Sequence, residues 1–122
     1  MAETVFVVED QDDVRELTAR VLRRKGYLVI EAASGEQAIA MAAAHAAPID
    51  LLLTDVVMPG LSGRQVAEQL TASRPDLRVL FMSGYTDEVI AERGVLEEGT
   101  AFLPKPFTPE ALVAKVREVL DA

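Results

Sequence analysis

Glu9 and Asp10 follow the apolar run Val5 to Val8, Asp55 follows Leu51 to Thr54, Ser83 follows Val79 to Met82, and Lys105 comes just after Phe102 and Leu103. Acidic, hydroxyl and amine side chains thus stand at the ends of segments that read as strands, and the carboxyl ends of strands are where open α/β sheets bind ligands. Three carboxylates without a histidine or thiolate nearby are hard oxygen ligands. They suit magnesium or calcium better than zinc, and a few carboxylates completed by water suit magnesium best. A carboxylate can also act as a nucleophile and form an acyl phosphate. Asp55 is the candidate, with a metal, the Lys105 amine and the Ser83 hydroxyl each able to neutralise or hydrogen-bond one phosphoryl oxygen.

The segments that must position these groups alternate in type. Thr4 to Val8, Leu28 to Ala32, Ile49 to Thr54, Leu77 to Met82 and Ala101 to Leu103 read as five strands. Between the first two, Val14, Leu17, Val21 and Leu22 recur at helical spacing until Lys25-Gly26 closes the helix. Asp12 and Asp13 read as acids at its start, and Asp13 with Glu16 has capping-box spacing. Ser34-Gly35-Glu36 opens an alanine-rich helix that cannot pass Pro48, Ser62 opens a third, and Thr108-Pro109-Glu110 opens the last. Gly94 and Gly99 leave space for only a short fourth helix between Thr86 and Arg93. Strongly apolar strands alternating with helices imply a parallel sheet covered on both faces.

The 122 residues, half of them apolar, are enough for one core and too few for two. No cysteine is present, so packing must stabilise the fold without disulfides. A formal charge of −8 repels a phosphate backbone and argues against direct nucleic-acid binding. The apolar runs are too short to cross a bilayer and no secretion signal is evident, so a soluble intracellular domain without membrane contact is expected. The single histidine, His45, has no partner motif and reads as a surface residue, so a phosphoryl donor must lie elsewhere.

The segments Val7-Val8-Glu9-Asp10, Leu53-Thr54-Asp55-Val56-Val57-Met58-Pro59-Gly60, Phe81-Met82-Ser83-Gly84 and Leu103-Pro104-Lys105-Pro106-Phe107 resemble those of the receiver domain of bacterial two-component response regulators. The resemblance covers nearly the whole chain and implies one receiver domain over residues 1–122. It implies an α/β fold, flavodoxin-like and doubly wound, with a five-stranded parallel sheet of order 2-1-3-4-5 and five helices, the fourth short. Asp55 would accept a phosphoryl group from a phosphohistidine on a histidine kinase or histidine phosphotransfer domain. Mg2+ would be held by Glu9, Asp10, Asp55 and the backbone carbonyl of Val57, with Ser83 and Lys105 on the phosphate. Ser83 and Phe102, the aromatic three residues before the lysine, would form the switch. The Lys105-Pro106 bond would be cis.

So read, the chain is a cytoplasmic phosphoacceptor signalling domain and not itself an enzyme. It is either a stand-alone regulator or the receiver of a hybrid histidine kinase. Glu9 stands where aspartate is commoner in the family. Val57 and Tyr85, two residues beyond Asp55 and Ser83, would flank the path of a hydrolytic water, which leads to an expectation of slow self-dephosphorylation. Alternatives are a phosphorylation-independent binding module of the same fold and an aspartyl-phosphate hydrolase. The hydrolase generally needs an acid where Val57 stands. A flavin or nucleotide enzyme of similar topology would need a glycine-rich loop after the first strand, where Glu9-Asp10 is found.

Overall fold

The computed structural model describes residues 2–84 and 101–122. Five strands, β1 (Thr4–Val8), β2 (Leu28–Ala32), β3 (Leu51–Asp55), β4 (Arg78–Ser83) and β5 (Phe102–Pro104), form one sheet of order β2-β1-β3-β4-β5. All four pairings are parallel. The described residues hold four helices: α1 (Asp12–Arg24), α2 (Gly35–Ala44), α3 (Gly63–Ser73) and α4 (Pro109–Asp121). Five were expected; the short one between Thr86 and Arg93 and the expectation for Tyr85 lie outside the described residues.

Every residue of β1 and β3 is buried, as strands covered on both faces must be. Alternation sends their side chains to two separate cores. Phe6, Val8 and Leu52 join Ala38, Val66 and Leu70 of α2 and α3. Val5, Val7, Leu51 and Leu53 join Leu22 of α1 and Leu112 and Val116 of α4. The edge strand β2 is only partly buried, and its Leu28 is exposed.

Three helix starts follow the sequence. Ser34, Ser62 and Thr108 each accept a hydrogen bond from a backbone N–H of the first turn. Ser62 and Gln65 complete a capping box, and Pro109 opens α4. At α1 the expectation is corrected: Gln11 is the N-cap without a side-chain bond, and the Asp13 carboxylate accepts from the N–H of the adjacent Val14. Asp12 and Asp13 still lie in the positive first turn, where acids are favoured.

His45 is also corrected. It is half-buried, and its Nε2 is buried with no hydrogen-bond partner among the described residues. Arg74 at the end of α3 donates from its guanidinium to the carbonyls of Ala42, His45 and Ala47, tying the end of α2 to α3. Among the described residues, no helix is long and apolar enough to cross a membrane.

Candidate functional site

Strand register converts separate sequence positions into one site. Val7 pairs with Leu53 across β1 and β3, so Glu9 and Asp55, each two residues further on, continue the same row. Their neighbours Val7 and Leu53 face the core under α1 and α4, as does Leu103, two residues before Lys105. Period-two alternation therefore aims Glu9, Asp55 and Lys105 to the same side at the carboxyl end of the sheet. Backbone bonds fix the strand ends: Glu9 N–H donates to Ala32 O at 3.1 Å, Val56 N–H to Met82 O at 3.1 Å, and Lys105 N–H to Ser83 O at 2.7 Å. The Lys105-Pro106 bond is cis, as the family resemblance implied.

Glu9, Asp10 and Asp55 each contribute one carboxylate oxygen to a cluster whose members lie within 4.8 Å of one another. Glu9 is fully buried, Asp55 nearly so, and Asp10 exposed. Lys105 Nζ donates to Asp55 Oδ2 at 3.1 Å and to Glu9 Oε1. Glu9 Oε2 is buried without any hydrogen-bond partner among the described residues. One ammonium thus faces three carboxylates, and one buried oxygen still lacks a donor. A hard cation among these oxygens would satisfy both the charge and the orphaned atom, so the donor set fits a divalent metal.

Burial pushes the Glu9 carboxyl up to about 7; the hydrogen bond from Lys105 pulls it down and the neighbouring Asp55 pushes it further up. For Lys105, burial pulls the ammonium downward, yet the hydrogen bond to Glu9 and the charge of Asp55 together leave it raised. Ser83 is 1% exposed at the end of β4, beside the backbone of Lys105. Val57 lies two residues past Asp55 with its side chain exposed, and Phe102 is half-buried against the core under α2 and α3.

Three neighbours of the site were missed at the sequence level. Arg15 Nη1 donates to Glu9 O at 2.9 Å and Nη2 to Asp12 Oδ1 at 2.7 Å, pinning the turn that carries Glu9 and Asp10. Its only sequence signal is the i,i+3 pairing with Asp12. Gly63 N–H donates to Val56 O at 2.9 Å, and a Cβ at Gly63 would sit 1.9 Å from Asp55 O. Only glycine permits that approach of α3 to the end of β3. Glu36 Oε1 accepts from Leu61 N–H at 2.9 Å, joining α2 to the loop after β3.

The family model for the response regulator receiver domain matches residues 5–117. The sensor kinase CckA of Brucella abortus is 37% identical over 118 residues, which are 97% of this chain and 12% of that kinase. The response regulator receiver protein CpdR of the same organism is 30% identical over 118 residues and covered to 97% on both sides. A crystal structure of the receiver domain from the hybrid histidine kinase CckA superposes with a TM-score of 0.81 at 39% identity, covering 96% of this chain and 98% of that one. The response regulator TrrA of Thermotoga maritima, solved in complex with Mg(2+)-BeF, has a TM-score of 0.78 at 25% identity, with 96% and 98% covered.

The fold and acidic site define a phosphoacceptor domain of two-component signalling. This chain belongs to the response regulator receiver domain family. It spans about an eighth of the CckA kinase and nearly all of CpdR, so relatives carry the same unit within a multidomain sensor and as a small regulator.

Proposed function

We propose that residues 1–122 form one receiver domain in which Asp55 accepts a phosphoryl group from a phosphohistidine of a histidine kinase or histidine phosphotransfer domain. The observation that carries this reading is the buried Glu9–Asp55–Lys105 arrangement with Asp10 at its rim. Asp55 sits at the mouth of the sheet, oriented by Lys105 from one side. Its carboxylate oxygen forms a bond to phosphorus as the phosphorus–nitrogen bond of the donor breaks, and the imidazole keeps the electron pair of that broken bond. The product is an acyl phosphate on Asp55.

Glu9, Asp10, Asp55 and the carbonyl of Val57 would hold Mg2+. When bound, the metal supplies positive charge toward the phosphoryl oxygens and offsets repulsion among the carboxylates. Lys105 then pairs with a phosphoryl oxygen, and the Ser83 hydroxyl donates to another. As Ser83 shifts toward the phosphate, Phe102 turns inward. Its half-buried setting and apolar ring make this a switch by packing alone.

The domain works as a phosphoacceptor and not as a hydrolase, since the acid that hydrolases of this type use is replaced by Val57. Val57, exposed and without a hydrogen-bonding side chain, also leaves the hydrolytic water unoriented, in keeping with a long-lived acyl phosphate. The phosphohistidine partner docks on the groove of about 490 Å³ that Val14, Leu17, Gly84, Lys105 and Phe107 line beside the site. Leu17, 53% exposed, gives this groove an apolar contact for a partner helix. The domain acts in the cytoplasm, without direct nucleic-acid or membrane contact, as a stand-alone regulator or as part of a hybrid kinase.

Transfer from a histidine kinase carrying radiolabelled phosphohistidine tests the assignment. Label passes to the native chain with Mg2+ and fails to pass to Asp55→Asn or in EDTA. Equal labelling of Asp55→Asn would overturn it.

A further inference from the structure

The loop between β3 and α3, residues 56–62, supplies the Val57 carbonyl to the proposed metal site. Its base is stitched shut by Gly63 N–H to Val56 O, and Met58 is buried in the core beneath it. Among the described residues, a single hydrogen bond reaches residues 57–61 from outside the loop: Leu61 N–H to Glu36 Oε1, across 25 positions of sequence. This bond and the Glu36 backbone hold the Glu36 carboxyl below its ordinary range. The same carboxylate lies against Gly60, whose φ is +78°; a Cβ there would stand 2.5 Å from Glu36 Oε1.

Glu36 is itself firmly based. It follows the Ser34 cap, and Gln37 Oε1 accepts from Ala33 N–H at 2.6 Å, so both ends of the first turn of α2 are tied. The adjacent Gly35 abuts Leu61 and Val66, where a Cβ would meet side-chain carbon at 2.8 Å. The start of α2 is therefore a rigid post against which the loop leans, and Glu36 is the charged tether between them.

We infer that Glu36 is a positioning residue for the metal site: by holding the loop after β3 it fixes the Val57 carbonyl and thereby sets Mg2+ affinity and the rate of Asp55 phosphorylation. This rests on the phosphoacceptor reading. The tether acts through loop geometry, because Glu36 has no place among the clustered carboxylates. Oxygen ligands around a metal are held by partners outside the ligand set, and loss of such partners lowers affinity.

The experiment is Mg2+ titration of the native chain, Glu36→Ala, Glu36→Gln and Gly60→Ala by calorimetry, alongside the Mg2+ dependence of labelling by acetyl phosphate and urea unfolding in EDTA. Glu36→Ala raises the Mg2+ midpoint by about tenfold, the low end for such partners. Its labelling rate recovers at saturating Mg2+. Glu36→Gln, which keeps an acceptor oxygen, restores most of the affinity. Gly60→Ala weakens Mg2+ binding as well, since its methyl displaces the Glu36 carboxylate.

A lower unfolding midpoint for Glu36→Ala with an unchanged Mg2+ midpoint would overturn the inference and leave Glu36 a structural residue. Equal weakening in Glu36→Gln and Glu36→Ala would overturn the tether as well. If the native chain neither binds Mg2+ nor becomes labelled, the phosphoacceptor reading itself fails.

Discussion

Glu9 carries much of the strain of this site. Its carboxyl is buried, raised to about 7, and only half satisfied by Lys105. An acid with a raised folded pKa makes no difference to stability below its unfolded value of 4.5, where both states are protonated. As pH climbs, the unfolded chain releases the proton first, so stability falls between 4.5 and 7 and stays reduced above. The loss is at most roughly 3 kcal/mol, from the size of the shift. The raised Lys105 loses its contribution only at far more alkaline pH, outside this window. We predict that Glu9→Gln, unfolded with urea in EDTA, matches the native chain near pH 4.5 and exceeds its stability near pH 8. A pH-independent difference would contradict this. The gathering of Glu9, Asp10 and Asp55 into one acidic cluster was legible from their strand-end positions, whereas the pairing of Lys105 with both Glu9 and Asp55 was not. It depends on how the turn after β5 lays one side chain across two strands.

At the scale of elements, the close approach of α3 to β3 is the most sensitive joint. Gly63→Ala would force its methyl to within 1.9 Å of Asp55 O unless α3 retreats. We expect a destabilisation of about 3 kcal/mol, as for an overpacked core position. We also expect slower labelling of Asp55, because the backbone next to the acceptor must move. Wild-type stability for Gly63→Ala in urea would show that α3 yields freely. Ser62→Ala, which removes the side-chain acceptor of the capping box, costs less, about 1 kcal/mol. The starts of α2, α3 and α4 were readable because Ser34, Ser62, Thr108 and Pro109 carry their own signals. The α1 cap was misread: Asp13 has the right type and spacing, but the chain turns two residues earlier at Gln11 and Asp13 becomes part of the helix. Glu36 left no usable pattern and Arg15 only its i,i+3 spacing from Asp12, since the bonds from Leu61 N–H to Glu36 and from Arg15 to Glu9 O are set by loop approach and not by periodicity.

For the whole molecule, two cores on either side of one parallel sheet follow directly from the doubly apolar strands β1 and β3. The alternation of strand and helix gave the architecture, and the order β2-β1-β3-β4-β5 agrees with the resemblance. The half-buried His45, with its Nε2 enclosed, shows the limit of reading a lone polar residue by its neighbours in sequence, because its backbone carbonyl meets Arg74, 29 positions away. The architecture places its charged site at one end of the sheet, so ligand binding there should stabilise the whole fold. Saturating Mg2+ should raise the unfolding midpoint and flatten the pH dependence ascribed to Glu9, by favouring its ionised form. An unchanged midpoint at millimolar Mg2+ would leave the acidic cluster without its proposed ligand. Intact mass after incubation with acetyl phosphate and Mg2+ reports whether Asp55 is the phosphoacceptor. One phosphoryl adduct is expected on the native chain, lost in EDTA and absent from Asp55→Asn; an adduct of equal yield on Asp55→Asn, or none on a native chain that binds Mg2+, would contradict Asp55 as the acceptor.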